Sequence, residues 1–362
     1  IVTCYGIIRR DHLMSSIFQM HEKIVEDYQK YVQSFLSISD ERIRDFIEDH
    51  LVRKNSLWPD ALIQVNPAYE PASTIENLVQ ENILHPTLAD IFRDEQNRSL
   101  LLYRHQVDAI AKGKEHRSFV VTSGTGSGKS LAYLIPIFDS VARANASDPK
   151  VRAIIVYPMN ALVNSQYEAL KRYAEGYEQK TGKPCPINFR KYTGQEKDEE
   201  RKQIQQNPPH ILLTNYVMLE LMLIRPEEHT FVDATTSGMQ FLVFDELHTY
   251  RGRQGADVAL LIRRLRKRCG NPDLLCIGTS ATMIAGRKTT ASERKLAVAN
   301  FASTIFGVPL ESHDIIEETL QRITKHPDVP SKGELIKSIA APVPASRDAF
   351  LADPLTAWIE ST

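Results

Sequence analysis

The sequence predicts an α/β fold built on a parallel sheet, and three observations support this. Six short apolar runs, at Phe119–Thr122, Ala153–Tyr157, Ile187–Tyr192, Ile211–Thr214, Phe241–Phe244 and Leu274–Gly278, are separated by stretches of helical periodicity. Mostly apolar runs of this length suit strands buried on both faces, and their alternation with helices gives βαβ units with parallel pairing. Finally, the polar motifs of the chain fall at the carboxyl ends of these runs, where open parallel sheets bind their ligands.

The composition is ordinary for a globular protein, with 42% hydrophobic residues over 362 positions. Such a length should hold about two or three domains. No apolar run is long enough to span a membrane, and four scattered cysteines without a C-x-x-C pair indicate neither a zinc site nor a disulfide framework. Reduced thiols and a cytoplasmic location are expected. A formal net charge of −1 excludes a global field drawing the chain onto nucleic acid, so any such contact must be local. The basic run Arg263–Arg268, continuing a helical pattern from Ala256, suits a solvated helix face and a nucleic-acid contact equally. Because the chain opens on Ile1 and stops at Thr362 without an evident finish, we expect a piece of something longer.

From Met14 to Leu51 apolar residues recur at helical spacing, with Ser39-Asp40 suited to a cap between two helices. Most Tyr and Phe of this part are expected in a core. Pro-interrupted segments and a further helical turn (Thr74–Asn82) complete a helical module, residues 1–99. The sheet is expected over 100–309, closed by a helix from Ser292 to Phe306, and 310–362 reads as a linker of short helical stretches and Pro-rich turns.

Between the first strand and the helix beginning at Leu131 lies Thr122-Ser-Gly-Thr-Gly-Ser-Gly-Lys-Ser130. A Gly-rich turn placed there aims successive backbone N–H groups into one concavity at the positive end of a helix dipole, which makes a phosphate cradle. Thr125, Gly126, Ser127, Gly128, Lys129 and Ser130 would line it, with Lys129 reaching the outer phosphates and the Ser130 hydroxyl on Mg²⁺. Ser123 stands where the G-x-x-x-x-G-K-[ST] pattern has its first glycine. Phe244-Asp-Glu-Leu-His248 follows another strand; an Asp buried there should face a cation, so Asp245 would hold Mg²⁺ and Glu246 would orient or deprotonate the attacking water.

Loop, DELH and Ser280-Ala-Thr282 together resemble a superfamily 2 helicase of the broad DEAD/DEAH-box kind. The resemblance covers about Leu100 to Met283 and implies a RecA-like lobe that hydrolyses ATP with Mg²⁺. Leu102-Tyr-Arg-His-Gln106 resembles the Q motif, whose glutamine, here Gln106, reads adenine. Tyr157-Pro-Met-Asn-Ala-Leu162 resembles motif Ia, Tyr192-Thr-Gly194 motif Ib, and Leu213-Thr-Asn-Tyr216 the segment after it. The resemblance implies that Pro158, Asn160, Thr193, Gly194, Thr214 and Asn215 hold a DNA single strand by its backbone. At motif Ia, Met159-Asn160 replaces the familiar cation. Ser280 and Thr282 would bond toward His248 and couple nucleotide state to these loops.

The stretch His248-Thr-Tyr-Arg-Gly-Arg-Gln-Gly-Ala-Asp-Val-Ala-Leu-Leu-Ile-Arg-Arg-Leu265 is similar to the YprA/MrfA-like DNA helicases and their relatives in prokaryotic defence proteins of the DISARM and Druantia kinds. A role in phage defence or DNA repair, and other defence-system proteins as partners, follow from that resemblance. Such motors close two RecA-like lobes over ATP, the second supplying arginine fingers worth about 10³–10⁵ in rate. After Ser280-Ala-Thr282 no Q-x-x-G-R-x-x-R run is present. The chain is therefore expected to hold lobe one, to need a second lobe from the rest of the protein, and to turn over slowly alone. The alternative is an ATP-driven switch or assembly factor that hydrolyses without moving along DNA.

Overall fold

The computed structural model describes residues 17–35, 38–47, 49–50, 68–124, 126–144, 150–281, 290–325 and 330–361. The chain divides into two compact units, Ile1–Asn66 and Pro67–Thr362.

In the first unit, helices Ile17–Ser34 and Glu41–Ile47 flank the expected cap. The Asp40 carboxylate accepts the N–H groups of Arg42 at 2.9 Å and Ile43 at 3.4 Å. The expectation that the aromatics here are core is not met. Tyr28, Tyr31, Phe35 and Phe46 are all more than half exposed. Two short helices offer each other too little surface to cover such rings. Tyr31 and Phe35 meet edge to face instead, with centroids 4.9 Å apart.

The second unit contains strands β1 (Pro71–Thr74), β2 (Leu101–Tyr103), β3 (Phe119–Thr122), β4 (Ala153–Tyr157), β5 (Phe189–Tyr192), β6 (Ile211–Asn215), β7 (Phe241–Phe244), β8 (Leu275–Ser280) and β9 (Ile315–Glu317). Seven of them form one sheet in the order β5-β6-β4-β7-β8-β3-β9, and every pair is parallel. Strands β3, β4, β6, β7 and β8 are buried at each residue, as their apolar runs require. Alternate residues serve opposite faces. Val121, Ile155 and Leu213 pack with helices Arg104–Lys114, Lys129–Arg143 and Asn160–Thr181. Val120, Ile154, Leu212 and Phe244 pack with Tyr216–Ile224, Gly252–Cys269 and Ala291–Phe306. The register sets Phe244 beside Gly278 and Thr122 beside Ser280, so β3 and β8 end level and β7 ends two residues short of them, which brings Asp245 and Glu246 to the same edge.

Three boundaries differ from the sequence reading. The division of the chain falls after Asn66 rather than after residue 99. Its cause is packing: β1 pairs antiparallel with β2, and Ile75, Leu78, Leu88 and Ile91 join the same core as helix Lys129–Arg143. Pro71 and Pro86, among the prolines that suggested a domain edge, only punctuate segments docked on the lobe. Second, β9 lies inside the stretch read as linker and extends the sheet beside β3; three residues with acidic flanks carry no periodic signal. Third, the helix read from Ala256 starts at Gly252. Among the described residues no helix is long and apolar enough to cross a membrane.

Candidate nucleotide site and adjoining groove

The glycine-rich turn leaves β3 at Thr122 and enters a helix at Lys129. Gly126 and Gly128 have φ of +83° and +73°, a region that costs an L side chain about 1–2 kcal/mol. Ser123 is buried; its N–H donates to Ser280 O at 3.2 Å and its hydroxyl shares a 2.5 Å hydrogen bond with that of Ser127. The residue that breaks the strict motif therefore staples the loop to β8. Lys129 Nζ donates to Ser123 O at 3.0 Å and lies 3.8 Å from a Glu246 carboxylate oxygen. Gln106 clamps the far side: its Nε2 donates to Gly128 O at 3.0 Å while its Oε1 accepts the Tyr103 N–H at 2.9 Å. A Cβ added at Gly128 would stand 2.6 Å from that Nε2. His105 Nε2 donates to Ser127 O at 3.0 Å. Gly124 N–H donates to Glu318 at 2.6 Å, a contact from the segment after β9 that motif spacing did not indicate.

Asp245 and Glu246 follow β7 beside this loop. Asp245 is 8% exposed, and burial pushes its carboxyl up to about 6; Glu246 adds to the rise, while the Thr279 hydrogen bond and Lys129 oppose it. Thr279 was missed by the sequence reading. Its hydroxyl donates to Asp245 at 2.5 Å and accepts the Glu246 N–H at 3.1 Å, so one side chain of β8 positions both acids. Glu246 has φ +54°, a left-handed conformation that a non-glycine residue holds only where its surroundings fix it. One of its carboxylate oxygens, Oε2, is buried without a hydrogen bond. His248 Nδ1 lies 3.2 Å from that oxygen and 3.4 Å from the Ala281 nitrogen. Ser280 Oγ stands 3.2 Å from His248 Nδ1 and donates to the Ala281 carbonyl at 2.7 Å. Ser130 occupies the first turn of its helix, three residues before buried Tyr133, whose hydroxyl pairs with that of Tyr157 at 3.2 Å and whose own acidity burial suppresses. Thr125 and Thr282 lie outside the described residues. An orphaned carboxylate oxygen and a neighbouring carboxyl driven up by burial are hard-oxygen donors of the kind a divalent cation takes.

Beyond β4, β5 and β6 a groove of about 480 Å³ is lined by Pro158, Met159, Asn160, Thr193, Gly194 and Asn215 among others. Most of their polar atoms are already engaged. Glu196, itself buried, accepts the N–H of Thr193 at 2.8 Å, that of Gly194 at 2.9 Å and the Thr193 hydroxyl at 2.8 Å. Asn215 caps helix Tyr216–Ile224 by accepting the Met218 N–H at 2.7 Å, and its Nδ2 donates to Asn160 at 2.6 Å. Thr214 does not line the groove: it is fully buried, and its hydroxyl donates to Tyr192 O at 2.6 Å. The basic run is also tied internally. Arg263 and Arg266 bond carbonyls of Thr304, Phe306 and Gly307, Arg264 pairs with Glu220, and Arg268 pairs with Asp233.

A parallel seven-stranded sheet carrying a glycine-loop lysine and a strand-end acidic pair defines a RecA-like lobe. Residues 103–290 match the DEAD/DEAH box helicase family, and the chain belongs to it. Among relatives, it is 26% identical over 377 aligned positions to the Druantia protein DruE of Escherichia coli, covering 74% of this chain and 20% of that protein. It is 32% identical over 186 positions to the ATP-dependent helicase YprA of Bacillus subtilis, covering 50% of this chain and 23% of that one. The fold is similar to the helicase MrfA in its crystal structure with DNA and AMPPNP, with a TM-score of 0.56 and 22% identity, over 75% of this chain and 34% of that one. The chain thus spans about a fifth to a third of these proteins.

Proposed function

We propose that this chain is the ATP-binding lobe of a DNA helicase or translocase serving in phage defence or DNA repair. The observation that carries the proposal is the convergence of Gln106, Lys129, Asp245 and Glu246 beyond the carboxyl ends of β3, β7 and β8. The phosphates would lie on the N–H groups of Gly126 to Ser130, with Thr125 at the rim and Lys129 on the outer phosphates. Lys129 would leave its present partner, the Ser123 carbonyl, to do so. The adenine edge would fall to Gln106, already fixed by its two bonds. Ser130 and Asp245 would hold Mg²⁺, which when bound neutralises charge on the phosphate oxygens. Glu246, with its unbonded oxygen, would orient the attacking water and accept its proton. His248, Ser280 and Thr282 would relay nucleotide state toward the groove. A second RecA-like lobe elsewhere in the protein would supply the arginines that complete the site, so this lobe alone should turn over slowly.

DNA as the track is supported by the DNA-bound MrfA structure, and defence by the likeness to DruE, which also points to other defence proteins as partners. Strand displacement by the complete protein, wild type against Lys129→Ala, is the test. Unwinding should vanish in the variant; equal unwinding by the two removes the proposal.

A further inference from the structure

We propose that Arg201 and Arg225 are the cations that grip the nucleic-acid backbone on this lobe, in place of the charge missing at motif Ia. The inference rests on the nucleic-acid reading above and specifies which atoms carry it.

A polyanion needs local positive charge, because the chain as a whole carries −1. Motif Ia supplies Met159 and Asn160, and the Met159 side chain is 56% exposed. Motif Ib supplies donors that Glu196 already occupies, and its carboxylate brings a negative charge to the same loop. The arginine run on helix Gly252–Cys269 is bound to carbonyls and acids of its own lobe. Within the groove the positive side chains are Arg201, from helix Asp198–Gln206, and Arg225, at the end of helix Tyr216–Ile224. Neither has a carboxylate partner within 4 Å among the described residues, and the Nε of Arg201 is buried without any hydrogen bond.

A buried, unpaired guanidinium N–H is costly unless an acceptor arrives. The buried acid of this neighbourhood, Glu228, does not serve: its two carboxylate oxygens lie 2.7 and 2.8 Å from the Tyr192 hydroxyl, and Gln205 donates to one of them at 3.0 Å. A phosphodiester oxygen entering between Arg201 and Arg225 would satisfy both guanidinium forks at once. Exposed Met159 and Val217 beside them offer apolar contact to sugar or base without reading sequence. Helix Asn160–Thr181, whose first turn has no side-chain cap, adds its positive end to the same groove.

The test is the salt dependence of oligonucleotide binding by the complete protein, followed by fluorescence anisotropy. Labelled single-stranded DNA and RNA of equal length are used, so that the two arms show which backbone the groove takes. Arg201→Gln and Arg225→Gln should each weaken binding roughly tenfold and lower the slope of log affinity against log salt by about 0.7. Arg225→Lys should restore the slope but not the full affinity, because charge returns without the fork. Arg264→Gln, which removes a cation already paired with Glu220, should leave the slope unchanged. If Arg201→Gln does not fold, Arg225→Gln, on a half-exposed residue at a helix end, still decides the matter. Wild-type slope and affinity in both glutamine variants would overturn the assignment while leaving the helicase reading standing. Failure of the wild type to bind either oligonucleotide would overturn both.

Discussion

The nucleotide cradle and the groove beside it share one edge of one sheet, yet their polar groups are in opposite condition. At the cradle the acids are incompletely satisfied: Glu246 keeps an oxygen unbonded, and Asp245, bonded to Thr279, is still held up near 6 mainly by desolvation. At the groove the short polar residues are satisfied within the lobe, by Glu196 and by the Asn215 cap, and two guanidiniums are left over. Dissatisfaction in a buried site marks what a ligand would complete. Satisfaction marks what builds the site. At the cradle the acids are of the first kind while Gln106, Ser127 and Lys129 are bonded within the lobe; the motif residues of the groove are largely of the second.

Asp245→Asn tests the first half of that contrast and should have the largest effect. The rise from an ordinary 3.8 to about 6 corresponds to about 3 kcal/mol, an upper figure for a site that water can enter. Because the folded value is raised, Asp245 supports the metal-free fold fully below pH 3.8. That support is lost as pH rises through 6, where the carboxyl must ionise in place. The asparagine variant keeps the Thr279 bond without the charge. In chelator at pH 7 it should unfold later than wild type, and the difference should shrink toward pH 4. It should also lose ATP hydrolysis, a gain in stability set against function. Equal melting of the two proteins at pH 7 would show that Asp245 is not strained by burial.

The groove should answer in the opposite sense. Glu196→Ala removes the acceptor of two backbone N–H groups and one hydroxyl, on a loop where Gly194 has φ +83°. Partly buried donors left without acceptors cost about 1–3 kcal/mol in all once water reaches some of them. The variant should therefore be less stable than wild type by roughly 2 kcal/mol in urea unfolding. A neutral result would mean that Glu196 merely occupies donors that water serves as well.

The same contrast explains how much was legible in the sequence. Strands β3, β4 and β7 lie where their apolar runs placed them, because burial on both faces leaves such runs few alternatives. The cradle could be read because backbone geometry fixes it: glycines for positive φ, lysine at the helix start, acids at a strand end. Thr279 escaped notice although it immediately precedes Ser280; only the β7–β8 register places its hydroxyl against Asp245. Glu196, Arg201, Arg225 and Glu318 had no signal at all. Glu318 acts through a contact made across elements and Glu196 through its own loop, and one charged residue among many on a helix or turn looks like solvated surface. Thr214 shows the converse error, since a motif position can be occupied by a residue whose side chain faces inward.

The smallest effect expected is also the most discriminating about how the cradle is preorganised. Gly128→Ala meets two separate penalties, the positive φ of +73° and a Cβ only 2.6 Å from Gln106 Nε2. The first costs about 1 kcal/mol whatever surrounds it. The second depends on the glutamine being held in place by the Tyr103 N–H and the Gly128 carbonyl. In a Gln106→Ala background the clash disappears and the φ penalty stays. A double-mutant cycle should therefore show the glycine substitution milder by about 1 kcal/mol when Gln106 is absent. If the two changes simply add, the Gln106 amide yields without cost, and the base-reading residue is not locked to the phosphate loop. A coupled result would mean that the end of the loop and the adenine reader form one rigid body, so that nucleotide selection is built into the same turn that cradles the phosphates.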